Sequence, residues 1–153
     1  LKPALLDANL LIALLWPSHE HHDLAHRWFG ARRERRWATC PLTELAFVRI
    51  VSNPTFSKEA LSPANAVSLL GHNLSRAGHR AWPDDVNVVE ALAPSASRLQ
   101  GHRQLTDMYL LSLAFRRKGV LATFDARLRG LATGDLSASL EVVDVAARPS
   151  RSR

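Results

Sequence analysis

The chain has 153 residues, 46% of them hydrophobic and 22% charged, which suits one globular domain with a proper core. Twenty basic against 14 acidic residues give a net charge of +6, a balance that fits a polyanionic partner but speaks to association and not to fold. A single cysteine, Cys40, excludes an internal disulfide framework and any zinc-ribbon set, and reads as a small buried residue rather than a nucleophile.

In chain order, residues 4–6 read as a short buried strand and Leu10 to Leu15 as a helix closed by Trp16-Pro17, with Asp7 or Asn9 as its cap. No secretory signal is visible and that apolar stretch is too short and too polar to span a membrane, so the expected home is the cytoplasm. The first residue, Leu1 instead of Met, reads as trimmed or decoded from an alternative start codon. Ser18 reads as the N-cap of a second helix reaching about Arg36, with Leu24, Ala25, Trp28 and Phe29 inward. Trp37 to Thr39 follows as a strand. Pro41 opens a third helix that carries Leu45, Phe47, Val48 and Val51 inward and ends at Asn53-Pro54. Ser62-Pro63 opens a fourth helix to about Arg76, and His79 to Trp82 makes a strand stopped by Pro83. One or two helical turns fill 86–100. Thr106 reads as the cap of a long helix with Leu110, Leu111, Ala114 and Phe115 inward, ending at Arg116-Arg117-Lys118-Gly119. Val120 to Thr123 is a strand, Asp125 to Leu131 a short helix and Leu140 to Val143 the last strand. Residues 1–147 thus read as one domain, followed by a basic, disordered tail over 148–153. Strands alternating with helices point to an α/β architecture with a parallel sheet.

Asp7, Glu44, Asp107 and Asp125 each stand where a short apolar run gives way to something else. In an open parallel sheet such positions share the carboxyl edge, where ligands bind. Each acid alone also reads as a helix cap or a first-turn charge favoured by the helix dipole. Together at one edge they would repel one another unless a divalent cation sat between them, which suggests a metal-dependent phosphodiester-cleaving site.

Four segments carry a family resemblance: Leu5-Leu6-Asp7-Ala8-Asn9; Thr43-Glu44-Leu45 with Arg49 and Ser52-Asn53-Pro54; Thr106-Asp107-Met108-Tyr109-Leu110-Leu111; and Thr123-Phe124-Asp125. In this order and spacing the chain resembles the PIN-domain family, and within it the VapC-type ribonuclease toxins of toxin–antitoxin systems, over about residues 3–145. The resemblance implies a three-layer α/β/α fold around a short central parallel sheet. It implies Mg²⁺- or Mn²⁺-dependent cleavage of single-stranded sites in structured RNA, transfer or ribosomal. A small VapB-type antitoxin would restrain the enzyme, and the chain would form a homodimer. Asp7, Glu44, Asp107 and Asp125 map onto the family's acidic set, with Asn9 and Thr123 as neutral neighbours in the same motifs. Asp7 and Asp107 are then expected to ligate the metal directly. Glu44 would ligate it or orient the attacking water, and Asp125 would act through water or hold a second ion.

Two rival readings compete. A non-catalytic PIN-like scaffold for RNA or protein has no need of clustered carboxylates. A receiver-type phosphoacceptor domain needs paired acids after its first strand, and Asp84-Asp85 is the nearest imitation. His19, Glu20, His21 and His22 invite a zinc reading but sit at a helix start without a distant ligand pair. Arg27, Arg32, Arg33, Arg35 and Arg36 form a basic surface that either meets RNA phosphates or is merely solvated. Trp16, Trp28, Trp37 and Trp82 read as core or interface, and Arg49 as a neighbour of the site or of some other acid.

Overall fold

The structure, a computed structural model, describes residues 2–146. The expected basic tail over 148–153 lies outside the described residues. Five strands, β1 (Ala4–Leu6), β2 (Trp37–Thr39), β3 (His79–Ala81), β4 (Val120–Thr123) and β5 (Leu140–Val142), form one parallel sheet in the order β3-β2-β1-β4-β5. Among the described residues six α-helices lie between β1 and β4: α1 (Ala8–Leu15), α2 (His22–Ala31), α3 (Pro41–Val51), α4 (Pro63–Leu74), α5 (Val88–Leu92) and α6 (Leu105–Arg116).

The two-residue period of a strand sorts the central side chains into two cores. Ala4, Leu6, Trp37, Val120 and Ala122 point to one face, where α1, α2, α3 and α4 cover them through residues such as Leu11, Ala25, Phe47 and Leu70. Leu5, Ala38 and Leu121 point to the other, beneath Ala91 of α5 and the run Met108 to Ala114 of α6. Strands buried on both faces carry near-continuous apolar runs, and β1, β2 and β4 are buried at every position, with Thr39 and Thr123 the polar exceptions at their carboxyl ends. The result is the expected three-layer α/β/α arrangement. The chain runs outward from β1 through β2 to β3, then returns to place β4 on the opposite side of β1. The carboxyl ends of β1 and β4 therefore flank the point where the strand order reverses, the usual ligand crevice of such sheets.

Several expected details differ. The second helix begins at His22, not after Ser18, and stops at Ala31. Its start is set by docking: His22 Nδ1 lies 2.7 Å from the Ala13 carbonyl and His26 Nε2 3.0 Å from that of Leu14. On α3, Leu45 is 69% exposed, and the inward face is Thr43, Phe47 and Val51. Thr106 lies inside α6, whose cap position is Gln104, and Phe115 is exposed because it falls after the buried run 108–114. Trp16, Trp37 and Trp82 are buried as expected, and Trp28 donates its indole N–H to Glu141 Oε1 at 2.8 Å.

Arg32 leaves the expected basic surface altogether. Its side chain is buried, with Nη1 2.6 Å from Glu141 Oε2 and Nη2 2.6 Å from the Lys2 carbonyl. It thereby ties the end of α2 to β5 and to the entry of β1. Truncating one partner strands the other charge, so Arg32→Ala is expected to destabilise the fold by about 3 kcal/mol. A truncation at exposed Arg33 should stay within about 0.5 kcal/mol. Urea unfolding midpoints of the two variants check this pair of values.

Candidate active site

The end of β1 delivers Asp7 directly, because the strand stops at Leu6 and α1 begins at Ala8. The Asp7 N–H still donates to the Ala122 carbonyl at 2.9 Å, so the sheet ladder itself sets its position beside β4. One carboxylate oxygen accepts from the Ala8 N–H at 2.7 Å, and the other from Thr123 Oγ1 at 2.8 Å. Thr123 Oγ1 in turn accepts from the Asp125 N–H at 3.0 Å. A buried hydroxyl at the end of β4 thus joins Asp7 to the turn that carries Asp125.

Asp7 is buried and has no cationic partner among the described residues. Burial raises its pKa against the opposing pull of Thr123 and Ala8, and the negative charge of Asp125 adds to the rise. Asp107, in the first turn of α6, is pushed up to about 6 by burial and then by the charges of Asp7 and Asp125. Its carboxylate accepts no hydrogen bond from any other described residue, so it does not act as the helix cap that its position would allow. Asp125 differs. Arg127 grips it with Nε at 3.0 Å and Nη2 at 2.9 Å, and that pairing lowers its pKa. Asp125 also caps the 3-10 turn Ala126–Gly130 through the Arg127 N–H.

Asp7, Asp107 and Asp125 therefore share one electrostatic neighbourhood at the switch point. Glu44, in the first turn of α3, faces the end of β2: its Oε1 accepts from Thr39 Oγ1 at 2.6 Å, and Thr39 Oγ1 lies 2.8 Å from His79 Nε2. Burial holds the His79 pKa below its ordinary value, opposed by the Glu44 charge. Asn9 is exposed on the first turn of α1, and Arg49 is exposed, its guanidinium in no hydrogen bond or ion pair with another described residue.

Among the described residues no three Asp, Glu, His or Cys side chains converge tightly enough to grip one ion together. His19, His21 and His22 form no such group either. The donor set still suits a hard, largely hydrated cation, which takes only one or two carboxylates directly. Two carboxylates with raised pKa and no ion pair among the described residues are what such an ion would relieve. Cys40 is no nucleophile: burial pushes its thiol up to about 11. No helix among the described residues is long and apolar enough to cross a membrane.

Arg127, Thr39 and His79 have site contacts that sequence reasoning missed. For Arg127 a signal existed, since a basic residue two positions after an acid that caps a tight turn is well placed to fold back on it. Nothing in the sequence marks His79, which reaches Thr39 only because β2 and β3 are neighbours.

The PIN domain family model matches residues 4–134. The chain is 45% identical over 133 residues to ribonuclease VapC39 of Mycobacterium tuberculosis, covering 87% of this chain and 96% of that protein. It is 46% identical over 129 residues to ribonuclease VapC38 of the same organism, covering 84% and 89%. Among solved structures, the DNA-bound VapBC complex from Salmonella typhimurium superposes with a TM-score of 0.62 at 15% identity, covering 94% of this chain and 100% of that one. At that identity the likeness is one of fold.

Proposed function

The chain belongs to the PIN domain family, and we propose that it is a VapC-type endoribonuclease toxin. It cleaves single-stranded sites in structured transfer or ribosomal RNA with Mg²⁺ or Mn²⁺, acts in the cytoplasm as a homodimer, and is held silent by a small VapB-type antitoxin. The observation that carries the reading is the pair Asp7 and Asp107, two carboxylates of raised pKa at the switch point, neither of them in an ion pair with a described side chain, the nearby Arg127 being held by Asp125. The VapC names of its relatives and the VapBC neighbour support the toxin assignment and the antitoxin partner.

Asp7 and Asp107 would hold the ion, which when bound supplies Lewis acidity and neutralises charge growing on the phosphoryl oxygens. Thr123 fixes the Asp7 carboxylate by donating to Oδ2, so that oxygen cannot swing. Glu44 keeps Oε1 on Thr39, which leaves Oε2 to orient a water and take its proton. Asp125, pinned by Arg127, is the outer acid and acts through water. An antitoxin would silence this site with a basic side chain, since an arginine fork pairs bidentately with such carboxylates.

Induction of the chain alone should arrest growth, and co-expression of the adjacent gene should restore it. If neither the neighbouring gene nor any other small protein suppresses toxicity, the regulatory half of the proposal is wrong.

A further inference from the structure

The segments that carry Asp107 and Asp125 also frame a cavity of about 660 Å³. One wall is the loop from Ser97 to Gln104 that leads into α6, and the other is the 3-10 turn capped by Asp125. Arg98, His102, Arg103 and Arg127 line the cavity, and no carboxylate does. Arg98 donates Nη2 to Ser95 Oγ at 3.0 Å, a neutral partner that leaves its charge uncompensated. Arg103 is exposed, and its side chain makes no hydrogen bond or ion pair with another described residue. Arg127 belongs to both places, since it lines the cavity while its guanidinium holds Asp125.

A cationic cavity opening directly beside an anionic centre is what a phosphodiester chain needs. The bond to be cut must enter among carboxylates that repel it, so the binding energy has to come from the phosphates on either side. A cavity of this size also has room for a nucleotide unit. We infer that the Arg98–Arg103–Arg127 cavity binds backbone phosphates of single-stranded RNA next to the cleaved bond, with Arg98 and Arg103 as positioning residues. Direct arginine contacts to phosphate fix register without reading bases. The inference rests on the nuclease reading above and goes beyond it by assigning the side from which the RNA enters.

A second basic cavity provides the comparison. Arg33 and Arg76 line a space of about 610 Å³ beside Trp37 and Gly78, at the amino ends of β2 and β3 and across the sheet from the acids. Glu34 lines it as well. Removing two charges there lowers the net charge as much as removing Arg98 and Arg103 does.

The test compares Arg98→Ala/Arg103→Ala with Arg33→Ala/Arg76→Ala in the full chain. Binding of a fluorescent single-stranded RNA is measured in EDTA across a salt series, and KM and kcat are measured with Mn²⁺. The first variant should bind at least about tenfold more weakly and lose about 1.4 from the slope of log affinity against log salt, at roughly 0.7 per phosphate contact. Its KM should rise while kcat and melting temperature hold, and the second variant should stay within about twofold of wild type. Equal weakening of both variants, or a normal KM for the first, overturns the assignment of the cavity. Wild-type protein that neither binds nor cuts RNA would instead overturn the nuclease reading, and the inference falls with it.

Discussion

Asp107→Asn is expected to lower RNA cleavage by at least about a hundredfold while leaving the protein folded. Losing a metal ligand removes several kcal/mol of transition-state stabilisation, and each 1.36 kcal/mol is about tenfold in rate. Asp7→Asn should show a loss of similar size, because its carboxylate is the other group at the switch point with raised pKa and no ion pair. Asn still accepts from Ala8 or Thr123 and remains a good N-cap, so a large loss at Asp7 would report lost charge and not lost structure. Single-turnover cleavage of a synthetic RNA, run beside far-ultraviolet circular dichroism, measures both quantities. Rates within about threefold of wild type for both variants would return these acids to structural duty.

The second large effect is on stability. In metal-free protein, Asp107→Asn should melt at or above the wild-type temperature, since it removes one of three mutually repelling charges and breaks no hydrogen bond. Mn²⁺ at a hundredfold excess over its dissociation constant should stabilise wild type by about 2.7 kcal/mol and the variant by far less. A helix cap behaves oppositely: its loss costs about 1 kcal/mol with or without metal.

The same groups set the pH dependence. Folded Asp107 holds its proton to about 6 whereas the unfolded chain releases it near 3.8, so between those values the folded state binds more protons. Stability in EDTA is thus fully present below about pH 4 and declines as pH rises to about 6, by about 1–2 kcal/mol after solvent screening of a half-buried group. Asp7 contributes with the same sign. Asp125, lowered by Arg127, contributes with the opposite sign, and its share is lost only as pH falls below the ordinary carboxylate range. Relative to Asp107→Asn, wild type should therefore lose stability in EDTA melts as pH rises from 4 to 7, a difference in which the groups common to both proteins, such as Asp7 and His79, cancel.

Much of this molecule is legible in its sequence, for identifiable reasons. Ala4-Leu5-Leu6 and Val120-Leu121-Ala122-Thr123 are too short for helices and too apolar for surface, so they read as doubly buried strands and are so. Asp7 and Asp125 follow from those strand ends. The misreadings fall where distant contacts override local pattern. Ser18 is a good cap, yet α2 starts at His22 because His22 and His26 are anchored on α1 carbonyls. Arg32 sits in an arginine-rich run and looks solvated, but Glu141, far along the chain, captures it. Phe115 continues the helical period of Leu111, yet lies beyond the last buried position of α6. The bond from Glu44 to Thr39 could not be read either, since it depends on how α3 leaves β2.

Cleavage of a single-stranded RNA by antitoxin-free protein, titrated with chelator, tests the central claim most directly. Excess EDTA should abolish cleavage, and Mn²⁺ or Mg²⁺ added beyond the chelator should restore it to the starting rate. Undiminished cleavage in excess EDTA would contradict the account, because the carboxylates at the end of β1 and on α6 would then serve some chemistry other than holding a cation.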